Sequence, residues 1–226
     1  MENKKPDITI IESGDGSHTL FHAALNETYH SMHGALRESE HVFIQAGLER
    51  MLEKPVVRIF EVGFGTGLNA WLTYKRVKEL DTQIIYHSVE PFPLPEEIVE
   101  KLNYIQQEED QSLKDFFLTL HRTPWNEEAA LHKNFTFKKI EQRLEDYEAP
   151  KDFFDIIYYD AFAPSKQAEM WLPENIEKVH TSLTQGGILV TYCARGQFKR
   201  DLKAQGFTVE TLLGPPGKKE MTRGTK

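Results

Sequence analysis

Residues 58–71, Arg-Ile-Phe-Glu-Val-Gly-Phe-Gly-Thr-Gly-Leu-Asn-Ala-Trp, run from an apolar strand through three alternating glycines directly into a helix. No other stretch constrains the fold as tightly. Glycines let the backbone turn within a few residues and lie against a ligand where a Cβ would intrude. A strand that feeds a helix in this way belongs to a crossover unit of a parallel sheet.

The rest of the chain repeats that alternation. Strands are predicted at 56–62, 83–89, 153–159 and 188–193, and helices at 68–79, 174–183 and 196–204. A helix-rich insertion covers 96–120, with the Gln-Gln-Glu-Glu-Asp-Gln run at 106–111 as a solvated helix end or loop. A short strand pair about Leu131 and 135–140 turns at Lys133-Asn134, and 207–213 with 219–225 form an antiparallel pair around Gly214-Pro215-Pro216-Gly217. Before the first main strand, segments 8–11 and 20–24 flank Ser13-Gly14-Asp15-Gly16 and predict a β-hairpin, and 41–52 predicts a helix. The expected fold is α/β: a Rossmann-like, mainly parallel sheet with helices on both faces. Residues 1–54 form a hairpin-and-helix extension, and residues 55–226 form the main domain.

The polar start, Met-Glu-Asn-Lys-Lys-Pro-Asp, lacks the apolar stretch of a signal peptide, and no run reaches the roughly 18 apolar residues of a membrane span. The one cysteine, Cys193, late in an apolar strand, excludes an intramolecular disulfide and reads as a core residue. A cytoplasmic protein is expected. Five of the nine histidines cluster at 18, 22, 30, 33 and 41, but the acids nearby lack ligand spacing, so no metal is expected.

Ligands in such sheets bind beyond the carboxyl ends of the strands, where strand order reverses. Gly63-Phe64-Gly65-Thr66-Gly67 follows the first main strand with Gly-x-Gly-x-Gly spacing, which differs from the dinucleotide fingerprint Gly-x-Gly-x-x-Gly. Glu90 ends the second strand, 23 residues beyond Gly67, where a carboxylate accepts hydrogen bonds from both hydroxyls of a ribose. A glycine loop with a ribose-binding acid describes a nucleoside cofactor, and the spacing favours S-adenosylmethionine over NAD. Glu61 is placed to face the cofactor's cationic amino acid moiety. Asp160 ends the fourth parallel strand and leads into Ala-Phe-Ala-Pro. A carboxylate there would hydrogen-bond an ammonium nucleophile, orient it and accept its proton. Phe162 and Pro164 would wall a flat base.

The motifs at 61–69, 88–94 and 160–166, with Met170-Trp171, 214–221, Tyr29-His30-Ser31 and 34–43, resemble the MnmC/MnmD family, the tRNA (5-methylaminomethyl-2-thiouridine) methyltransferases. The resemblance covers nearly the whole chain. It implies a class I S-adenosylmethionine-dependent methyltransferase acting on the primary amine of 5-aminomethyl-2-thiouridine at the tRNA wobble position, with the anticodon stem-loop as partner. Asp160 becomes the catalytic residue. The cofactor set is Glu61, Gly63, Phe64, Gly65, Thr66, Gly67, Asn69, Glu90 and Asp160, with Glu141 (Asp146 as the alternative) near the adenine. Tyr29, His30, Phe162, Pro164 and Trp171 fall on the substrate side, Trp171 either stacking on a base or packing under the loop. Some relatives carry a fused flavin-dependent oxidase. None is expected here, so other enzymes would install the aminomethyl group.

The net charge is −8, but 195–226 holds eight Lys/Arg against three Asp/Glu. A basic tail on an acidic body meets a polyanion through one face. Lys218, Lys219 and Arg223 are the candidate phosphate contacts. Two other readings stay open: methyl or aminopropyl transfer to a small amine, as in polyamine synthases, and a non-catalytic RNA-binding module.

Overall fold

The computed structural model describes residues 8–226, and the polar start at 1–7 lies outside the described residues. The chain begins with a three-stranded antiparallel sheet, β1 (Ile8–Glu12), β2 (His18–His22) and the two-residue β3 (Glu27–Thr28), in that order. Its first turn does more than reverse the chain. Asp15 accepts the Ser17 N–H (3.0 Å) and the Arg37 N–H (3.0 Å), and the Ser13 hydroxyl accepts the Ala35 N–H (3.1 Å). The hairpin therefore caps the start of α1 (Ala35–Ser39). The single helix expected at 41–52 is instead a π-helical turn, Glu40–Gln45, and a 3₁₀ turn, Leu48–Arg50. Gly47 separates them, in a non-helical conformation packed against the Phe43 carbonyl.

The main sheet contains β4 (Val56–Val62), β5 (Gln83–Val89), β6 (Glu128–His132), β7 (Phe135–Ile140), β8 (Phe154–Tyr159), β9 (Leu183–Thr191), β10 (Thr208–Leu213) and β11 (Glu220–Thr225). Its order is β10-β11-β9-β8-β4-β5-β7-β6. The five central strands are parallel, and β6, β10 and β11 run antiparallel to their neighbours. Order reverses between β4 and β8.

Alternation along the central strands sends side chains to two cores. Ile59, Tyr86, Ile156 and Tyr158 pack with α2 (Leu68–Val77) on one face. Phe60, Val62, Ile157 and Tyr159 pack on the other. The insertion forms α3 (Glu96–Val99) and α4 (Gln111–Arg122), separated by an irregular stretch. Asp110, in the polar run, accepts the Ser112 N–H (2.8 Å) and so starts α4 as its N-cap. Leu113, Phe116, Phe117 and Leu120 bury one face of α4, and Phe116 stacks on Tyr74 of α2. On the second face lie α5 (Pro173–Ser182), with proline in its first turn, and α6 (Gly196–Ala204). Cys193 is buried just past the end of β9, not within it. Among the described residues no helix is long and apolar enough to cross a membrane.

The turn before β7 also closes the end of α2. Buried Asn134 donates to the Val77 and Leu80 carbonyls, both at 2.9 Å. Asn134→Ala leaves these acceptors without their donor and is expected to lower unfolding free energy by about 1–3 kcal/mol, read as a lower denaturation midpoint.

Candidate active site

The loops after β4, β5 and β8 meet where strand order reverses. Asp160 donates its N–H to the Val62 carbonyl (3.1 Å), and a Cβ on Gly63 would stand 2.9 Å from the Asp160 carbonyl oxygen. Two neighbouring strand ends are thus in backbone contact. Gly63 and Gly65 have φ of 94° and 48°, a region that side-chain-bearing residues rarely adopt. At Gly65 a Cβ would also press the Tyr29 ring at 3.2 Å.

Glu90 braces this loop from below, accepting the Gly65 N–H (3.1 Å) and the Phe92 N–H (2.9 Å). Burial pushes its pKa up to about 7 despite those two bonds. Asn69, in the first turn of α2, donates to Asp160 Oδ2 (2.8 Å), and its own Oδ1 is buried with no partner. Burial pushes Asp160 up to about 7, opposed by the Asn69 hydrogen bond. The cleft between these loops encloses about 350 Å³ and is lined by Gly63, Gly65, Asn69, Glu90 and Asp160 on one side and by Tyr29, His30 and Phe162 on the other. Tyr29 and Phe162 meet edge to face at 5.0 Å. This is room for a nucleoside, with a carboxylate on the second strand and an unpartnered amide oxygen on the helix.

Glu61 does not face the cleft. It is fully buried behind the loop, where its strand partner across the sheet, Ser88, donates to Oε2 (2.7 Å). Burial first, opposed by the Ser88 bond, and then the Asp160 charge push it up to about 8. Asn69 and Asp160 line the cleft where Glu61 does not. Glu141 also points away. It gives its N–H to Asn126 (3.1 Å), and its side chain is exposed, because the chain turns sharply after β7. Asp146 is likewise exposed and outside the lining. That turn brings Arg143, Leu144 and Glu145 to the cleft instead.

Trp171 is buried and donates to the Phe162 carbonyl (2.8 Å), so it packs under the loop and offers no face to a base. Pro164 lies beyond the cleft lining. His30 is buried and hydrogen-bonded to Thr19 (3.2 Å), and burial lowers its pKa to about 4, so it is neutral at pH 7. In the tail, Lys218 pairs with Glu38 and Arg223 with Glu210 (2.9 Å), while Lys219 is exposed. Four of the tail's eight cations have acidic partners among the described residues.

Tyr104 of the insertion and His121 just beyond it also reach the glycine loop, contacts not anticipated from the sequence. His121 Nε2 lies 3.1 Å from the Thr66 carbonyl, and the Tyr104 hydroxyl donates to Thr66 Oγ1 (3.3 Å). Burial, then the Lys139 charge, lowers His121 to about 4, so the ring is neutral and its Nε2–H donates. Buried Lys139 donates to the His121 carbonyl at the end of α4 (2.5 Å). Phe64 packs on His121 at 5.3 Å. The one-turn spacing of Phe117 and His121 was the available signal.

The model of a family described as S-adenosyl-L-methionine-dependent methyltransferase matches residues 103–226. The chain is 29% identical over 213 residues to the tRNA 5-methylaminomethyl-2-thiouridine biosynthesis bifunctional protein MnmC of Marinomonas sp. (strain MWYL1), covering 88% of this chain and 31% of that protein. It is 30% identical over 243 residues to the MnmC of Pseudoalteromonas atlantica, covering 99% and 34%. The chain spans about a third of the length of these curated relatives. Among solved structures it is similar to MNMC2 from Aquifex aeolicus, with TM-score 0.80, 26% identity and coverage of 98% of this chain and 71% of that one. Spermidine synthase from Thermotoga maritima shares the fold alone, with TM-score 0.51, 10% identity and coverage of 100% and 82%.

Two outcomes follow from this geometry. Gly65→Ala combines a positive φ with contact on Tyr29, and calorimetry is expected to show at least a roughly tenfold weaker affinity for S-adenosylmethionine. The second concerns pH. Glu61, Glu90 and Asp160 have folded-state pKa values of about 8, 7 and 7, above the roughly 4 of the unfolded chain. The folded state therefore holds the extra protons, and their stabilisation is complete below about pH 4 and lost as pH rises through 7 to 8. The melting temperature of the ligand-free protein is expected to fall between about pH 6.5 and pH 8, and Glu61→Gln to flatten that fall.

Proposed function

The chain belongs to the family of S-adenosyl-L-methionine-dependent methyltransferases, and from that premise we propose that it methylates the primary amine of 5-aminomethyl-2-thiouridine at a tRNA wobble position. One observation carries the reading to an amine. Asp160, with its carboxyl oriented by Asn69, stands at the junction between the glycine loop and the aromatic pair Tyr29–Phe162. A carboxylate at that junction serves a nucleophile that arrives protonated, as an aliphatic amine does at pH 7.

Glu90 would hold the ribose of the cofactor, the glycine loop would admit its backbone-close portion, and Asn69 Oδ1 would receive its amino group. When bound, the cofactor supplies an electrophilic sulfonium methyl. The work left to the protein is alignment and proton handling. Asp160 accepts a hydrogen bond from the substrate ammonium, and the ammonium's charge favours the ionised carboxylate against the burial that raises its pKa. One proton then passes to Asp160, leaving a lone pair on the nitrogen. The Asn69 N–H keeps the other carboxylate oxygen fixed during that transfer. Tyr29 and Phe162 form an apolar wall suited to a flat base, and Trp171 and Tyr192 hold that wall by donating to the Phe162 and Ala161 carbonyls, both at 2.8 Å.

The reading for tRNA draws on the named relatives and on the exposed Lys219 within the tail. Flipping the wobble base out of its stack would let the amine reach a recessed carboxylate. The test uses methyl-labelled S-adenosylmethionine with two tRNA pools, one bearing 5-aminomethyl-2-thiouridine and one with uridine at that position. Label confined to the first pool, and found on the amine by nucleoside mass analysis, is the expected result. Label in neither pool, with transfer to free polyamine precursors, would replace this reading with the small-amine one. Asp160→Ala is expected to lower turnover by about 10²-fold or more with tRNA affinity within twofold. Retained turnover would remove its role.

A further inference from the structure

The two halves of the aromatic wall on the acceptor side come from segments far apart in the chain. Tyr29 and His30 precede α1, and Asp160 to Phe162 follow β8. A continuous run of side chains joins them. Glu38, on α1, has a buried side chain whose Oε2 accepts the Ser31 N–H (2.6 Å), immediately after Tyr29-His30. Its Oε1 pairs with Lys218, in the loop between β10 and β11. The Lys218 ammonium stands 3.8 Å from the centroid of the Tyr192 ring, and the Tyr192 hydroxyl donates to the Ala161 carbonyl (2.8 Å). Beside this run, a side chain at Gly217 would collide with the His33 ring, so the 214–217 loop sits directly on the turn that follows His30.

We propose that the Glu38–Lys218 pair is a brace that ties together the two chain segments carrying the Tyr29–Phe162 wall of the acceptor cleft, making Lys218 a positioning residue and not a phosphate contact. The physical argument is exclusion. For Lys218 to reach a phosphate it would have to leave Glu38, a carboxylate with 7% side-chain exposure, without its countercharge. It would also surrender the Tyr192 face, against which the half-buried ammonium is favourably held. Lys219, next in sequence and exposed, has neither restraint. The inference rests on the reading that the cleft receives the methyl acceptor.

The experiment compares wild type, Lys218→Met, Lys218→Arg and Glu38→Gln by amide hydrogen exchange and by methyl transfer to the amine-bearing tRNA. In Lys218→Met, peptides covering 29–34 and 161–164 are expected to exchange at least about tenfold faster, with those covering 63–67 unchanged. The KM for tRNA should rise about tenfold, with affinity for S-adenosylmethionine within twofold and the salt dependence of tRNA binding unaltered. Lys218→Arg, which keeps both the pair and the ring contact, should restore the tRNA KM to within threefold. Glu38→Gln should loosen the same two segments if Lys218→Met does not fold. Unchanged exchange in either segment, or a salt slope reduced by about one phosphate contact, would overturn the proposal. Exchange needs no substrate, so a wild type inactive on the amine-bearing tRNA would refute the substrate reading while exchange still decides the brace.

Discussion

Everything in this site depends on the backbone contact between the ends of β4 and β8. The Asp160 N–H bonded to the Val62 carbonyl, and the absence of a Cβ at Gly63, let the two loops meet without an intervening side chain. With any larger residue at position 63 the Asp160 carbonyl would be displaced, and with it the carboxyl that Asn69 orients. The sheet provides the juxtaposition, because parallel strands that leave their loops at one edge open a crevice where order reverses. The glycine provides the closeness.

A second consequence is electrostatic. Three carboxyl groups, Glu61, Glu90 and Asp160, are gathered under or beside one loop, and burial raises all three. Two of them open onto the cleft, and the third is shut behind it against Ser88. On the proposed reading, a sulfonium, an amino group and an ammonium would each relieve part of the desolvation that raises these carboxyl groups. Neutral His30 lines the cleft and neutral His121 holds the Thr66 carbonyl of the glycine loop, and neither adds a cation there.

Local sequence carried the fold well, because its signals were local. The Asp-Gly turn, the glycine loop and the alternating strands each declare themselves within ten residues, and the structure has a strand or turn at each. The helix expected at 41–52 failed because Gly47 ends it in a conformation that apolar spacing does not report. At the site, Gly63, Gly65, Asn69, Glu90 and Asp160 line one cleft, all near the ends of elements readable from pattern. Residues whose surroundings come from distant segments were not readable. Glu61 follows its strand neighbour inward, Glu141 follows a turn outward, and Lys218 answers to Glu38, 180 residues away. The α4 contacts to Thr66 were hidden for the same reason.

The central claim is that Asp160 takes the proton from an amine held at the junction of the loops. The most direct test is the pH dependence of single-turnover methyl transfer to tRNA bearing 5-aminomethyl-2-thiouridine, for wild type and for Asp160→Asn. In the wild type the rate should rise and level off by about pH 7, since Asp160 and the ammonium then share one proton. In Asp160→Asn the limb should move toward the amine's own pKa, near the roughly 10 of a lysine-like amine. A limb unmoved by the substitution would contradict the assignment of the proton to Asp160.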